Sequence, residues 1–368
     1  MPTLLIRADA TPAMGTGHVM RTLAVAQEAR IAGWRVGLAF AALPETLKAR
    51  LEAAGLILLA LPVPAAGPDD AAATIASAQT LQAAALLVDG YHFSADWRRR
   101  VREGGQPPAR CRYRTAAFDD QVNGVPVLEA DLVIHPAAHP RPPPAASRRP
   151  GLRYLSGPAF LPLRAEFRAV SANSLPPPAQ RPELLLTLGG SDPAGLTLPC
   201  LQALSRRLPA ATPLAVVIGA ANPHAAAIAA WSASHAPAIQ IYQDCPDMAG
   251  RMAAAGLALA AAGGTVAELA ALAVPAVLAI LADNQQPAAT AAAAAGWCEV
   301  VDGRRSTATA GLAATTATTA LAEILADRTA ALWAAPEQRN RMAARIAGTV
   351  DAAGTARILS ALTELSEA

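Results

Sequence analysis

The sequence predicts an α/β protein built from two doubly wound, parallel-sheet domains in tandem. Three observations carry this. Short apolar runs alternate with alanine-rich helical stretches at the spacing of βαβ units. The alternation is interrupted by a proline-rich stretch near the middle of the chain and then restarts. The 368 residues, 53% of them hydrophobic, suffice for two cores.

In the first half, residues 4–7 read as a strand and 19–32 as a helix stopped by Gly33. Residues 35–40 read as a strand, 45–54 as a helix stopped by Gly55, and 56–61 as a third strand. A glycine just past a helical run supplies the left-handed cap that ends it. Residues 71–83 and 95–103 are helical; 85–89, 115–119 and 132–135 are short strands, the first ending in an acid. Residues 136–150, rich in proline and arginine and without hydrophobic period, read as a loop. Residues 171–182, with Pro176-Pro177-Pro178, read as the linker between a first domain at 1–170 and a second at 183–368. In the second domain, strands at 183–188, 214–218, 239–242, 257–261 and 276–281 alternate with helices at 197–207, 223–233, 247–255, 266–272 and 285–295, the last closed by Gly296. Helices at 318–326 and 337–346 finish the chain. Domains of this kind bind ligands at the carboxyl ends of their strands, here expected in the cleft between the two.

Composition narrows the function classes. Aromatics are only 4%, so leucine, valine and alanine must build the cores, and the apolar fraction argues against disorder. Net charge is +2, without the wide basic field or stacking aromatics that nucleic acid requires. Arg98, Arg99, Arg100 and Arg102 read as a solvated helix face. The four cysteines lie far apart in no metal-ligand spacing and read as reduced thiols of a cytoplasmic protein. No metal or other cofactor is expected, and the oligomeric state stays open, a monomer being compatible. The first apolar run is too short for a signal peptide. The most hydrophobic region, 257–281, is broken by Gly263-Gly264, Glu268 and Pro275, so buried strands and a helix explain it better than a membrane span.

Three glycine turns follow strands: Gly15-Thr16-Gly17-His18, Gly189-Gly190-Ser191-Asp192 and Gly263-Gly264-Thr265. Glycine there permits positive φ and close approach of backbone to a ligand, and a helix start beyond it offers free N–H groups to phosphate. None has the Gly-Lys-Ser/Thr of a phosphate-binding Walker loop or the dinucleotide spacing Gly-x-Gly-x-x-Gly. A tight connection between strand and helix uses the same residues. Glu268, one turn into the following helix, can accept hydrogen bonds from a ribose diol or simply complement the helix dipole. Asn284-Gln285 can reach a ligand or serve as a cap. His18 is the one histidine placed between a glycine turn and a helix, where a neutral imidazole can act as a general base.

These pieces resemble a known family. Arg7-Ala8-Asp9 with Gly15-Thr16-Gly17-His18-Val19-Met20-Arg21 is similar to the N-terminal signature of the UDP-sugar hydrolases of pseudaminic acid biosynthesis, which act on UDP-2,4-diacetamido-2,4,6-trideoxy-β-L-altropyranose. Val88-Asp89-Gly90-Tyr91, Phe118-Asp119-Asp120, and Gly157-Pro158-Ala159-Phe160 with Leu163-Arg164 and Phe167 follow in the family's order. So do Leu188-Gly189-Gly190-Ser191-Asp192-Pro193 with Thr197, and Ala262-Gly263-Gly264-Thr265 with Glu268 and Asn284-Gln285. The resemblance covers roughly the first 300 residues. The chain departs from it at His135-Pro136, where members carry an asparagine-containing segment, and beyond about Val301.

The resemblance implies a glycosyltransferase-B fold, with two Rossmann-like domains, and a metal-independent hydrolysis. Water activated by His18 would attack the anomeric carbon and UDP would leave. Asp9 and Tyr91 would orient the base or the sugar. Gly15, Gly17 and Arg21 would lie at the substrate, and Gly189, Gly190, Ser191, Gly263, Gly264, Thr265, Asn284 and Gln285 at UDP, with Glu268 on the ribose. Two other readings stay open: a glycosyltransferase of the same fold, and a non-catalytic nucleotide-sugar binding module.

Overall fold

The structure, a computed structural model, describes residues 1–11, 14–107, 111–120, 129–137, 151–170, 172–220, 222–235, 238–307 and 312–367. The proline-rich run expected as a loop lies, from 138 on, outside these residues. The chain divides into one compact unit of residues 1–165 and 352–368 and a second of residues 166–351.

The first unit holds seven parallel strands: β1 (Thr3–Ala8), β2 (Arg35–Phe40), β3 (Ile57–Ala60), β4 (Ala85–Asp89), β5 (Arg114–Phe118), β6 (Leu132–His135) and β7 (Arg153–Ser156). Their order is β3-β2-β1-β4-β5-β6-β7, so the sheet reverses direction of growth between β1 and β4. β1 is buried at every position, as expected of a parallel strand covered on both faces. One face carries Leu4, Ile6, Leu87 and Phe118 against helix α1 (Gly17–Ile31). The other carries Leu5, Leu86 and Val88 against Trp97, Val101 and Tyr113.

The glycine stops work as the sequence suggests. After α1, Gly33 has φ +83° and Trp34 N–H returns to the Ala29 carbonyl. After α2 (Glu45–Ala53), Gly55 has φ +79° and Leu56 N–H returns to Leu51. Helix α4 (Ala95–Glu103) begins at Ser94, whose Oγ accepts the Trp97 N–H at 3.1 Å.

The second unit repeats the plan with six parallel strands: β8 (Glu183–Thr187), β9 (Leu214–Ile218), β10 (Ile239–Gln243), β11 (Ala255–Ala261), β12 (Ala276–Ile280) and β13 (Cys298–Asp302). The order is β10-β9-β8-β11-β12-β13, with the reversal between β8 and β11. Leu184, Leu186, Leu257 and Leu259 pack on Leu201 and Leu204 of helix α6 (Thr197–Ser205) and on Leu321 and Leu325 of helix α12 (Leu312–Trp333). Part of the expected linker is ordered against this unit. Ala179 N–H reaches Asn340 Oδ1 at 3.0 Å, and Arg181 reaches the Pro176 and Leu272 carbonyls.

Several elements differ from the sequence expectation, among them β7, β13 and α14. β7 and β13 are edge strands that the alternation alone does not announce. Helix α14 (Gly354–Glu367) joins the first unit, although residues beyond 183 were expected wholly in the second. The reason is its apolar face: Ile358, Leu359, Leu362 and Leu365 are buried in the core that α1 shares with β1 and β4. Arg153 on β7 pairs with Glu364, and Arg357 donates to the Ala159 carbonyl.

Candidate functional site

In the first unit the reversal of strand order builds the site. At such a point the connections leaving adjacent strands go to opposite faces and open a crevice beyond the strand ends. Ala8, the last residue of β1, pairs in register with Asp89, the last residue of β4. Beyond β1 the chain turns: Gly15 N–H donates to the Thr11 carbonyl at 2.8 Å, Gly15 has φ +73°, and α1 starts at Gly17. A Cβ on Gly15 or Gly17 would meet nothing within 4 Å, so packing does not demand glycine at either position.

His18 is the second residue of α1 and is 8% exposed. Its Nδ1 lies 2.8 Å from Asp89 Oδ1. Burial alone would raise the Asp89 carboxyl; the charge of Arg21 and the contact with His18 outweigh it and bring the group down to about 2. Asp89 is therefore a carboxylate at neutral pH and accepts the Nδ1 proton. Nε2 then carries the lone pair of the neutral imidazole. That is the tautomer of a general base.

Arg21, one turn along α1, binds two carboxylates. Its Nε donates to Asp89 Oδ2 at 2.8 Å and its Nη2 to Asp89 Oδ1 at 2.6 Å. Nη1 and Nη2 donate to Asp120 Oδ1 and Oδ2 at 2.6 and 3.0 Å. The guanidinium stands 4.4 Å from the Phe118 ring centroid. Tyr91 Oη donates to Asp120 Oδ2 at 2.8 Å, and its ring meets His18 edge-on at 4.4 Å. Tyr91 is 46% exposed, and burial of Asp120 is outweighed by Arg21, which lowers that carboxyl.

Two of the expected site residues sit in ion pairs. Asp9, expected to orient the base or the sugar, bonds groups other than His18. It is 1% exposed, accepts the backbone N–H groups of Ala41 and Ala42 on Oδ1, and pairs through Oδ2 with Arg7 and His92. Its work is to tie β1 to the loop after β2. Arg21, expected at the substrate, has its Nε and both Nη atoms engaged by Asp89 and Asp120. The residue bonded to His18, Asp89, reads in the sequence as an acid ending a strand, within the Val88-Asp89-Gly90-Tyr91 segment of the resemblance, but with no role of its own. Its signal is position, a carboxylate closing the strand beside the one that precedes the histidine turn.

In the second unit the reversal again gathers the glycine turns. Thr187 at the end of β8 pairs with Ala260 near the end of β11. Gly189 follows β8 with φ +96°, and Gly263-Gly264 follow β11. A Cβ on Gly189, Gly263 or Gly264 would meet nothing within 4 Å. Beyond Gly190 and Ser191, Asp192 takes φ +39° and accepts the N–H groups of Leu196 and Thr197. Thr265 opens helix α9 (Thr265–Ala271), with Glu268 in its first turn. Asn284 and Gln285 follow β12. Gln285 Oε1 accepts the Leu281 N–H at 2.8 Å, which leaves its amide NH2 as the group to offer a ligand. Asp283 is held by Arg304.

Among the described residues, no group of three or more His, Cys, Asp or Glu side chains is arranged to hold a metal, and no helix is long and apolar enough to cross a membrane.

No protein-family model matches the sequence, and no curated protein does. Solved structures do match. MurG from Acinetobacter baumannii is 20% identical, with a TM-score of 0.62 over 99% of this chain and 100% of that one. UGT2 of Phytolacca americana, solved with UDP-2-fluoroglucose and pterostilbene, is 10% identical, with a TM-score of 0.62 over 100% of both chains. A UDP-N-acetylglucosamine 2-epimerase assigned in Listeria monocytogenes is 14% identical, with a TM-score of 0.59 over 99% of this chain and 96% of that one. At such identities the likeness shows the fold, which is of the two-domain glycosyltransferase-B type.

Proposed function

We propose that the protein cleaves the anomeric carbon–oxygen bond of a nucleoside-diphosphate sugar, with His18 as the general base. The observation that carries this is the His18 Nδ1–Asp89 Oδ1 pair of 2.8 Å at the β1–β4 reversal. In this reading Nε2 takes the proton of an incoming hydroxyl as its oxygen bonds to the anomeric carbon. The bond from that carbon to the β-phosphate oxygen breaks, and the nucleoside diphosphate leaves with its electron pair. Asp89 stabilises the imidazolium so formed. Tyr91 holds the ring from its edge. The glycine turns at Gly189-Gly190-Ser191 and Gly263-Gly264-Thr265 offer backbone N–H groups to the departing diphosphate, where such donors contribute most. Glu268 would receive the ribose hydroxyls, and Asn284 with the Gln285 amide would lie beside them.

Two nucleophiles fit this base. Water is favoured by the ordered series of motifs that resemble those of the UDP-sugar hydrolases of pseudaminic acid biosynthesis, and UDP-2,4-diacetamido-2,4,6-trideoxy-β-L-altropyranose would then be the substrate. A sugar or aglycone hydroxyl is favoured by the solved neighbours, MurG and UGT2 among them. The test is incubation with UDP-linked diacetamido sugars in H2-18O, without and with acceptors. Free UDP and label at the sugar C1 without acceptor support hydrolysis; UDP release only with an acceptor supports transfer. His18→Ala should abolish release in both cases while UDP still binds. Turnover near the normal rate in that variant would overturn the assignment.

A further inference from the structure

We propose that Arg21 and Asp120 are positioning residues of opposite sign that set the basicity of His18, acting on it through Asp89 and Tyr91. The proposal rests on reading His18 as the base.

The five side chains form a closed circuit. His18 bonds Asp89, Asp89 bonds Arg21, Arg21 bonds Asp120, Asp120 accepts from Tyr91, and Tyr91 returns edge-on to the His18 ring. Asp89 Oδ1 serves two donors at once, His18 Nδ1 and Arg21 Nη2. The closer Arg21 is drawn to Asp89, the less of that oxygen's charge remains for the imidazole. Asp120 holds the other side of the guanidinium through two bonds and keeps it shared. The Phe118 ring under the guanidinium restricts its tilt.

Charge gives the circuit its sign. With His18 neutral, the two carboxylates exceed the guanidinium by one negative charge. That surplus is cancelled when His18 takes a proton, so the circuit favours the imidazolium formed during the reaction. Other charged groups face it as well. Arg98 of α4 donates to the Gly90 carbonyl and interacts with both Asp89 and Asp119, so it and Asp119 largely offset each other. Among the described residues, neither carboxylate of the circuit has a second arginine bonded to it as Arg21 is.

The test is an NMR titration of the His18 imidazole in the full chain, without substrate. Asp120→Asn should lower the His18 pKa and Arg21→Gln should raise it, each by on the order of one pH unit. The acid limb of the kcat/KM profile should move the same way in each variant. A merely structural pair would leave the titration in place or move both variants alike, and either result overturns the proposal. If Arg21→Gln does not fold, Asp120→Asn alone decides: it keeps the side chain's shape, removes the charge and leaves one oxygen to accept from Arg21 or Tyr91. Since the titration needs no substrate, opposite shifts without any turnover would leave this circuit standing and sink the proposed reaction. An unmoved titration beside His18-dependent turnover would do the reverse.

Discussion

Ala8 and Asp89 lie opposite each other in the parallel register of β1 and β4, each the last residue of its strand. The chain leaving Ala8 turns once and returns as α1 with His18 in its first turn, so the Asp89 carboxylate meets the imidazole at a fixed height above the sheet. Asp89→Asn should therefore do more than remove a bond. The amide has no charge to support an imidazolium and presents either oxygen or NH2 to Nδ1, so the tautomer is no longer fixed. Turnover should fall by roughly 10²–10⁴-fold with UDP binding retained. A loss of only a few-fold, measured by UDP release, would remove Asp89 from the mechanism.

Acid should unfold the first unit early, and the sign follows from its carboxylates. Burial raises both Asp9 and Asp89, but His92 and Arg7 hold Asp9 well below the ordinary range, and Arg21 and His18 bring Asp89 to about 2. Both groups are depressed in the folded state, so their stabilisation is complete above the unfolded value near 4. It is lost as pH falls from there through about 2 and below. Asp89 alone accounts for about 2 kcal/mol of this. Through these two carboxylates the melting temperature should fall steeply as pH drops from about 4 toward 2. A flat profile down to pH 2 would contradict the ion pairing described.

Removing residues 352–368 should destabilise the first unit and spare the second. Ile358, Leu359, Leu362 and Leu365 are buried with α1 and the sheet, each 6% exposed or less. At roughly 1.5–3 kcal/mol per buried side chain, their loss forfeits about 6–12 kcal/mol, comparable to the whole stability of a domain. Hydrogen exchange should show α1 and β1 unprotected and β8 and β11 unchanged. Loss of protection in β8 and β11 instead would mean that the helix supports the other unit.

How far the sequence could be read follows from which interactions are local. Strands such as 85–89 and 132–135 coincide with β4 and β6 because parallel strands buried on both faces are unbroken apolar runs. Gly33, Gly55 and Gly296 mark helix ends through their own backbone, with φ between +74° and +83°. β7 and β13 carry Arg153, Glu299 and Asp302 and are edge strands, so their pattern does not separate from loop. The choice of α14 between two units depends on which core has a vacant groove, which no local pattern records. At the site, His18 was legible because a glycine turn and a helix start frame it. Asp89 and Asp120 were legible as acids at strand ends and as members of the resemblance segments, without a role. Their pairing with His18 and Arg21 spans 71 and 99 residues and emerges from sheet order.

Gly264→Ala offers the cleanest separation of fold from nucleotide binding. Gly264 has φ −56° and ψ −26°, an ordinary conformation for alanine, and a Cβ there meets nothing within 4 Å. Neither strain nor packing explains the glycine; as the N-cap of α9 it is replaced by alanine at a small cost, so the melting temperature should fall by at most a few degrees. If the diphosphate lies over the turn, the added methyl group displaces it from the backbone N–H groups. UDP affinity should then drop about tenfold or more, a cost of about 1.4 kcal/mol or above. Gly219→Ala is the contrasting control, because its Cβ would collide with the Gly190 backbone, which cannot yield cheaply. It should lower the melting temperature as well as the affinity. Calorimetric UDP titrations and thermal melts of the two variants decide the matter: undiminished affinity in Gly264→Ala places the diphosphate elsewhere.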